Sequence, residues 1–529
     1  MLTYFVIVPV LVAVFLYLFP SAKAARMGAI ITQVGMVIAA GYLFSISQPY
    51  EYMYVAVGNY HGIMGVILRA DTLSAAFVLL TTFIFLIASI YSFQENNSRL
   101  FWFLLFLWEG ALLGLFLTGD FFNIFVLMEV ATVVVSVMIM FNRQNRSMYD
   151  GMIYLMINVI IIQFYMIGIG YIYRLTGALD LEAVRMALPY LERHNLIVPY
   201  ALLMTFVALK CALIPLYSWL PKAHGTPGAP SSVSALLSGL YIKAGVYLFL
   251  RFQAVFEPIA MFEIFLLMGV ITALAGVIMA VSQTDIKLIL AYSTIAQVGL
   301  IIVGFSISYQ YSYNYIGALY HIINHAVFKA ALFLAAGVVT YAYGTRNIAD
   351  IRGVLKKMPL LGWSMVLAIL GIIGTPLFNG SISKYFLMTG IDQVLNTLLI
   401  IVNLGTIIIM MKFSTIFLGE PKGEVKVKTD IWRHGPIVVL ALMCFVGGIF
   451  GVQAIEFLFN LEATVDMAGY IEKAGIFLGS LVVGFIIFKY YVQKSVFLSK
   501  VKTLEMGFRE MCISIGLFMA VIMIWVGVS

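Results

Sequence analysis

Residues 208–221 read ALKCALIPLYSWLP and residues 371–386 read GIIGTPLFNGSISKYF. Each is an apolar run interrupted by proline, and each carries a lysine, Lys210 or Lys384, beside the interruption. Proline removes a backbone donor and frees a carbonyl one turn earlier. Irregular backbone at membrane depth is tolerated only where protein or a water-filled cavity satisfies it. A charge there costs about 2.5–3.5 kcal/mol on insertion scales. Four more ionisable side chains sit deep in apolar runs: Glu129, Lys243, His325 and Lys329. Such a set must be hidden from lipid, and its default reading is a polar path, most simply for protons.

Working outward, the 529 residues are 63% hydrophobic and only 10% charged, with mean hydropathy +1.04. Soluble domains are nearer a quarter charged, so the chain reads as a polytopic membrane protein, and disorder is excluded. Cys211, Cys444 and Cys512 share no metal-ligand or redox spacing, so no zinc or iron–sulfur site and no cofactor is expected. The apolar start, Leu2 to Phe19, lacks a basic lead or cleavage site and reads as a retained span. The net charge of +7 sits in short loops, which topology explains better than a nucleic-acid partner does.

Counting about 20 apolar residues per span predicts sixteen segments. They are 2–20, 27–46, 71–93, 100–118, 121–141, 151–174, 197–220, 229–252, 259–283, 286–306, 313–343, 359–392, 394–418, 435–459, 470–492 and 509–528. Loops after odd-numbered spans hold nineteen basic residues. Those after even-numbered spans hold six: Arg69, Arg174, Arg185, Arg193, Arg251 and Lys473. The positive-inside rule then makes the odd loops cytoplasmic and puts both termini outside a prokaryotic cell membrane.

Lys243, in LLSGLYIKAGVYLF (236–249), lies one span after the break at Lys210. Lys329, in HIINHAVFKAALF (321–333), lies one span before the break at Lys384. Paired broken spans in corresponding places point to inverted repeats. The expected division is N-terminal helices over 1–99, a first five-helix repeat over 100–252, an inverted second over 253–418, and C-terminal helices over 419–529. Two unrelated proline kinks are the plainer alternative.

Lys210 is too far from either end of its span to snorkel. Its alternative is a structural lysine tied to the carbonyl that Pro215 frees. Glu129, in FFNIFVLMEVATVVV (121–135), needs a counter-charge, for which Lys210 is the candidate; a neutral Glu bonded to backbone is the alternative. His321, His325 and Lys329 recur every four residues and share one helix face. Two histidines so spaced can bind zinc, but no acidic third ligand is evident, so a proton relay is preferred. Lys384 reads as the exit. Lys412 and Glu109 are secondary candidates with His321, as is His224, which with Lys222 falls in a Gly/Pro-rich loop. Asp120 reads as a helix cap.

FLTGDFFNIFVLMEV (116–130), LKCALIPLYSWLPKAHGTPGAPSSVSALLSGLYIKAGVYLFLR (209–251), DIKLILAYSTIAQVG (285–299), HIINHAVFKAALFLAAG (321–337) and FNGSISK (378–384) resemble one family. It is that of the proton-translocating antiporter-like subunits shared by Mrp cation/proton antiporters, respiratory complex I and membrane-bound hydrogenases. The resemblance covers about residues 60–480. It implies an all-α polytopic fold: a 14-helix core with two inverted five-helix repeats and broken helices 7 and 12, followed here by about two extra C-terminal helices. It also implies the proton-pathway residues Glu129, Lys210, Lys243, His325, Lys329 and Lys384. Lys384 stands where the M-type complex I subunit usually has glutamate, and no long lateral helix of the L-type follows. AGYIEKAGI (468–476) is similar to the end of the Mrp D-type subunit.

The expected function is a proton-translocating subunit without a catalytic centre of its own. Its expected partners are other membrane subunits, protons, sodium in the assembly, and the lipid bilayer. A self-contained solute transporter and a purely structural subunit are the rival readings.

Overall fold

Apolar runs of this length bury their backbone polar groups by forming helices, the solution that a span without water requires. The computed structural model describes residues 1–18, 22–47, 53–59, 65–94, 98–310, 312–421, 423–428, 430–502 and 505–528. The helices are α1 (Tyr4–Leu18), α2 (Ala22–Ser47), α3 (Thr72–Ser92), α4 (Arg99–Leu117), α5 (Phe121–Ile139), α6 (Asn145–Thr176), α7 (Leu181–Ala187), α8 (Arg193–Lys210) and α9 (Trp219–Gly225). There follow α10 (Ser231–Leu236), a π-helical turn (Leu237–Tyr241), α11 (Ile242–Val255), α12 (Phe262–Ser282), α13 (Ile286–Ile307), α14 (Ser312–Tyr343) and α15 (Val354–Lys357). The last are α16 (Pro359–Ile373), α17 (Asn379–Leu387), α18 (Gln393–Ser414), α19 (Ile431–Ile449), α20 (Gly451–Phe459), α21 (Met467–Tyr490), α22 (Val496–Val501) and α23 (Phe508–Val528). Two short antiparallel strands, β1 (Met53–Ala56) and β2 (Ile67–Ala70), add a hairpin before α3.

Among the described residues, thirteen helices are long and apolar enough to cross a membrane, and each falls on one of the sixteen expected segments. The other three segments depart for local reasons. Segment 2–20 holds the 15-residue α1, and its last two residues lie outside the described residues. Segment 197–220 is cut between α8 and α9, and 359–392 between α16 and α17. Both cuts fall at the proline-bearing runs.

Helix starts are marked by aspartates. The side chains of Asp71, Asp120, Asp180, Asp285, Asp392, Asp430 and Asp466 accept backbone N–H groups of α3, α5, α7, α13, α18, α19 and α21. Each such cap stabilises its helix by about 1 kcal/mol. Asp120 is thus the cap that its position predicts.

The chain folds as two compact units. The first comprises Met1–Pro230, Leu240–Ile264 and Met506–Ser529. In it α8 packs on α6 and α11, and α23 returns to pack on α8 and α6. The Ser218 hydroxyl donates to the Met506 carbonyl (3.3 Å), so one face of the C-terminal span is taken by this chain's own helices. The second unit comprises Ser231–Gly239 and Phe265–Glu505. Its centre is α14, which contacts α10, α13, α16, α17 and α19. Its interior face carries His321, His325 and Lys329, all with no exposed surface.

Candidate functional site

In the first unit, α8 ends at Lys210 and the chain turns through Cys211 to Ser218 before α9. Ala212 takes φ +52°, and the Trp219 indole donates to the Leu209 carbonyl (2.7 Å), which also accepts the Ala212 N–H (2.9 Å) within the turn. Gly245 of α11 lies against this turn. A Cβ there would stand 2.7 Å from the Lys210 carbonyl carbon and 2.9 Å from the Cys211 nitrogen. Only glycine permits that approach.

The Lys210 ammonium is buried and points away from the break. It donates to Asn158 Oδ1 of α6 (2.6 Å), Thr132 Oγ1 of α5 (3.2 Å) and the Tyr241 hydroxyl of the π-helical turn (3.5 Å). Tyr154 donates to the Tyr241 hydroxyl (3.0 Å), and Asn158 Nδ2 donates to the Tyr154 carbonyl (2.8 Å), which leaves Oδ1 for the lysine. The carbonyl near Pro215 is not its partner. Glu129, on α5 one turn before Thr132, is half-buried, and its Oε2 is enclosed without a hydrogen bond. Lys210 is the positive charge that acts on it, through space rather than by direct contact. Lys243, two residues before Gly245, is fully buried.

In the second unit α16 ends at Gly374, whose φ of +82° is the left-handed helix cap that glycine adopts without strain. Lys384 lies beyond the break, in α17, and reaches back. Its Nζ donates to the Ile372 carbonyl (2.7 Å), at the negative end of the α16 half-helix, and to Asn403 Oδ1 of α18 (2.6 Å). The neighbouring Ser383 hydroxyl meets His321 Nδ1 (2.9 Å). His321 Nε2 meets Gln297 Oε1 of α13 (3.0 Å), whose amide donates to Thr406 of α18 (3.1 Å). The His325 ring lies 6.4 Å from that of His321, centroid to centroid. One turn further on, Lys329 Nζ donates to the Leu290 carbonyl (2.9 Å) and to the Ser293 hydroxyl. His321, a secondary candidate from sequence, therefore links three helices beside Lys384. Its partners Gln297 and Ser383 carried no signal that spacing could expose.

The remaining candidates fall elsewhere. Lys412 donates to the Val281 and Gln283 carbonyls (2.6 and 2.5 Å) and so closes the end of α12. Glu109 is buried on α4 and accepts from Gln33 of α2. Lys222 and His224 lie in α9 and not in a loop: Pro221 falls in the first helical turn, where its missing N–H has no intrahelical partner to lose. Lys473, counted with the loop before segment 470–492, lies inside α21, which begins at Met467.

A cluster of charges in the first unit had no signature in the sequence. There Arg69, Asp180, Glu182, Arg185, Tyr247 and Arg251 line a cavity of about 230 Å³. Arg251 pairs with Asp71 (2.7 Å), while Arg69 and Arg185 share Glu182 (3.3 and 2.7 Å). The hydrogen bond from Arg185, opposed by burial, holds the Glu182 carboxyl below its usual range.

Two buried lysines beside two broken helices, with a histidine–lysine helix face, are the arrangement that the quoted motifs imply. The family described as NADH:quinone oxidoreductase/Mrp antiporter, TM, matches residues 118–410. This chain belongs to that family. The D-type subunit of the Na(+)/H(+) antiporter of Alkalihalophilus pseudofirmus is 31% identical over 433 residues, covering 79% of this chain and 87% of that protein. The N-type subunit of the NADH-quinone oxidoreductase of Desulforudis audaxviator is 32% identical over 355 residues, 65% of this chain and 69% of that one. Among solved structures, a chain of the Mrp complex from Dietzia superposes with TM-score 0.80 at 22% identity, covering 91% of this chain and 99% of its own. A chain of a membrane-bound sulfane sulfur reductase, an archaeal respiratory membrane complex, gives the same values. The protein is a multi-pass, antiporter-like membrane subunit, and its relatives are subunits of multisubunit membrane complexes.

Proposed function

We propose that this chain moves protons, as a subunit of an Mrp-type cation/proton antiporter or an Mrp-like respiratory complex, along its buried Lys, Glu and His side chains. The observation that carries the reading is the setting of Lys210. Its ammonium is fully enclosed yet held by neutral, rotatable groups, with a carboxylate near enough to act on it but not bonded to it. A lysine in a tight ion pair would hold its proton too firmly to pass it on. A lysine balanced by a distant carboxylate changes its proton affinity when that carboxylate moves or is neutralised.

Opposite unit charges attract with an energy that falls inversely with distance, about 4 kcal/mol at 4 Å and an effective dielectric of 20. One pKa unit corresponds to about 1.36 kcal/mol, so loss of a counter-charge lowers the proton affinity of the cation it faced. In the cycle, water loads Lys210 while Glu129 is charged, and loss of the Glu129 charge discharges it. The proton then passes by way of Lys243 and the His325/Lys329 face to Lys384, with His321 and Ser383 beside the last step. The repeats over 100–252 and 253–418 are inverted relatives of each other, and both termini face the outside of a prokaryotic cell membrane. Sodium is exchanged elsewhere in the assembly.

Lys210→Ala tests this in the assembled complex, with proton uptake measured in membrane vesicles. The expected result is loss of uptake with the subunits still co-purifying. Unchanged uptake in an intact complex leaves the buried charges a structural role only, and transport by this chain alone in proteoliposomes favours a self-contained transporter.

A further inference from the structure

The second unit holds one more lysine in this environment, beyond the family match at residues 118–410 and not among the proton-pathway residues that the motifs imply. Lys473 is the seventh residue of α21, half-buried, and α21 packs along α18. Its Nζ donates to the Tyr385 carbonyl (2.9 Å) and the Thr389 hydroxyl (3.0 Å) and lies 4.7 Å from the centre of the Tyr385 ring. Lys473 and Lys384 line the same cavity, with Ser381, Asn403, Tyr470 and Ser480. Tyr470, one turn before Lys473, bridges the break. Its hydroxyl meets the Ser381 hydroxyl (2.8 Å) and accepts from the Leu377 backbone nitrogen (3.2 Å). The amide of Asp466, at the start of α21, donates to the Tyr385 hydroxyl (3.0 Å). The end of α21 is therefore fastened over the broken helix, and the cavity lies beneath it.

That cavity measures about 50 Å³. A water needs about 10–15 Å³ of such space and two to four polar partners, so the cavity holds roughly three to five waters. The two lysine amines, the hydroxyl-bearing Ser381, Tyr385, Tyr470 and Ser480, and the Asn403 amide on its walls supply the partners. An all-apolar wall would have kept it dry.

We propose that Lys473 is a proton-pathway residue: the α21 cavity is a hydrated exit chamber in which Lys473 receives the proton that Lys384 releases. The inference rests on the proposed function and extends it past Lys384 to a helix beyond the family match at residues 118–410. The Lys384 ammonium gives one proton to the chamber water, neutral Lys473 takes one from it, and Lys473 returns to the neutral form by giving its proton to solvent. On the positive-inside topology, the end of α21 that carries Lys473 faces outward. The rival role for Lys473 is to cap the last turn of α17 through the Tyr385 carbonyl and Thr389.

The two roles separate by substitution in the assembled complex, with proton uptake and subunit co-purification read together. Arginine satisfies the same two acceptors and keeps the charge, but it does not release a proton at working pH. Lys473→Gln and Lys473→Arg are both expected to slow uptake about tenfold with assembly intact. Near-normal uptake in both overturns the proposal, as does rescue by Lys473→Arg alone. Asn403→Leu is the second arm should Lys473 variants fail to assemble. It removes a polar wall of the chamber, and with it one ligand of Lys384, while leaving the sequence of α21 unchanged, and is expected to slow uptake about threefold; normal uptake overturns the proposal. Lys384→Ala is measured alongside. If uptake survives it, the underlying proton-path reading fails and takes this one with it. If uptake is lost there but normal in the Lys473 variants, only the exit chamber fails.

Discussion

Lys210 is the last residue before its break and reaches away from it, to side chains of α5, α6 and the π-helical turn. Lys384 follows its break and reaches back to the Ile372 carbonyl at the end of the preceding half-helix. Rotatable hydroxyls and one amide hold the first ammonium; a fixed backbone dipole and one amide hold the second. The first site can rearrange as the charge of Glu129 changes. The second keeps one ligand whatever its neighbours do. The difference suits Lys210 to respond to a distant carboxylate and Lys384 to act as a terminal station beside a wet cavity.

The largest expected contrast lies in the backbone of the two breaks. Gly245→Val should abolish assembly, because even a Cβ would meet the Lys210–Cys211 backbone at 2.7–2.9 Å. Gly374→Ala forces a left-handed residue, a strain of about 1–2 kcal/mol, and brings a Cβ 3.0 Å from Cδ of the flexible Lys384 side chain. It should lower the yield of complex but not remove it. Equal losses in a co-purification assay would dissolve the distinction between these two glycines, Gly245 held by close packing and Gly374 by its left-handed backbone.

The amides come next. A hydrogen bond to a charged group is worth about 1.5–3 kcal/mol. Asn158→Leu removes the shortest contact of Lys210 and should slow proton uptake about tenfold or more. Asn403→Leu leaves Lys384 its carbonyl and should slow uptake about threefold. The reverse order would show that Lys384, not Lys210, depends on its side-chain ligand.

The smallest contrast is at two capping pairs, Asp71–Arg251 (2.7 Å) in the first unit and Asp285–Arg346 (2.9 Å) in the second. Both are partly exposed, so Asp71→Asn and Asp285→Asn should each cost about 1–2 kcal/mol, less than a fully buried pair. Burial raises the Asp71 carboxyl, but the charge and hydrogen bond of Arg251, with the Ser74 bonds, bring it down to about 2. A depressed carboxyl contributes stability above its unfolded range and loses it as pH falls through the folded value. The Asp71 contribution should therefore be full from neutrality to about pH 5, decline as pH falls through the unfolded carboxyl range near 4 and on through about 2, and be gone by about pH 1, which thermal melts of the detergent-solubilised complex across that range would reveal.

What could be read from sequence was local. Span positions follow from apolar length, the breaks from Pro215 and from Gly374 with Pro376, and the cap at Asp120 from its place before Phe121. The partners of Lys210 lie 31, 52 and 78 residues away, on elements that only folding brings together. The same holds for the link from His321 to Gln297 and Ser383, 24 and 62 residues away. Lys473, at the start of the expected span 470–492, counts by sequence with the preceding loop because Glu472 and Lys473 are charged. The cap at Asp466 starts the helix earlier than hydropathy alone suggests. The shared Glu182 of Arg69 and Arg185 was hidden for the same reason as the lysine partners, since Arg69 is 113 residues away.

The central claim is that the lysines at the breaks carry protons and do not serve only as fixed charges. Lys210→Arg in the assembled complex tests it most directly, because arginine keeps the charge and cannot give up the proton. Proton uptake by vesicles should fall to the level of Lys210→Ala while the complex stays intact. Uptake at the unsubstituted rate would contradict the account and make Lys210 a structural cation.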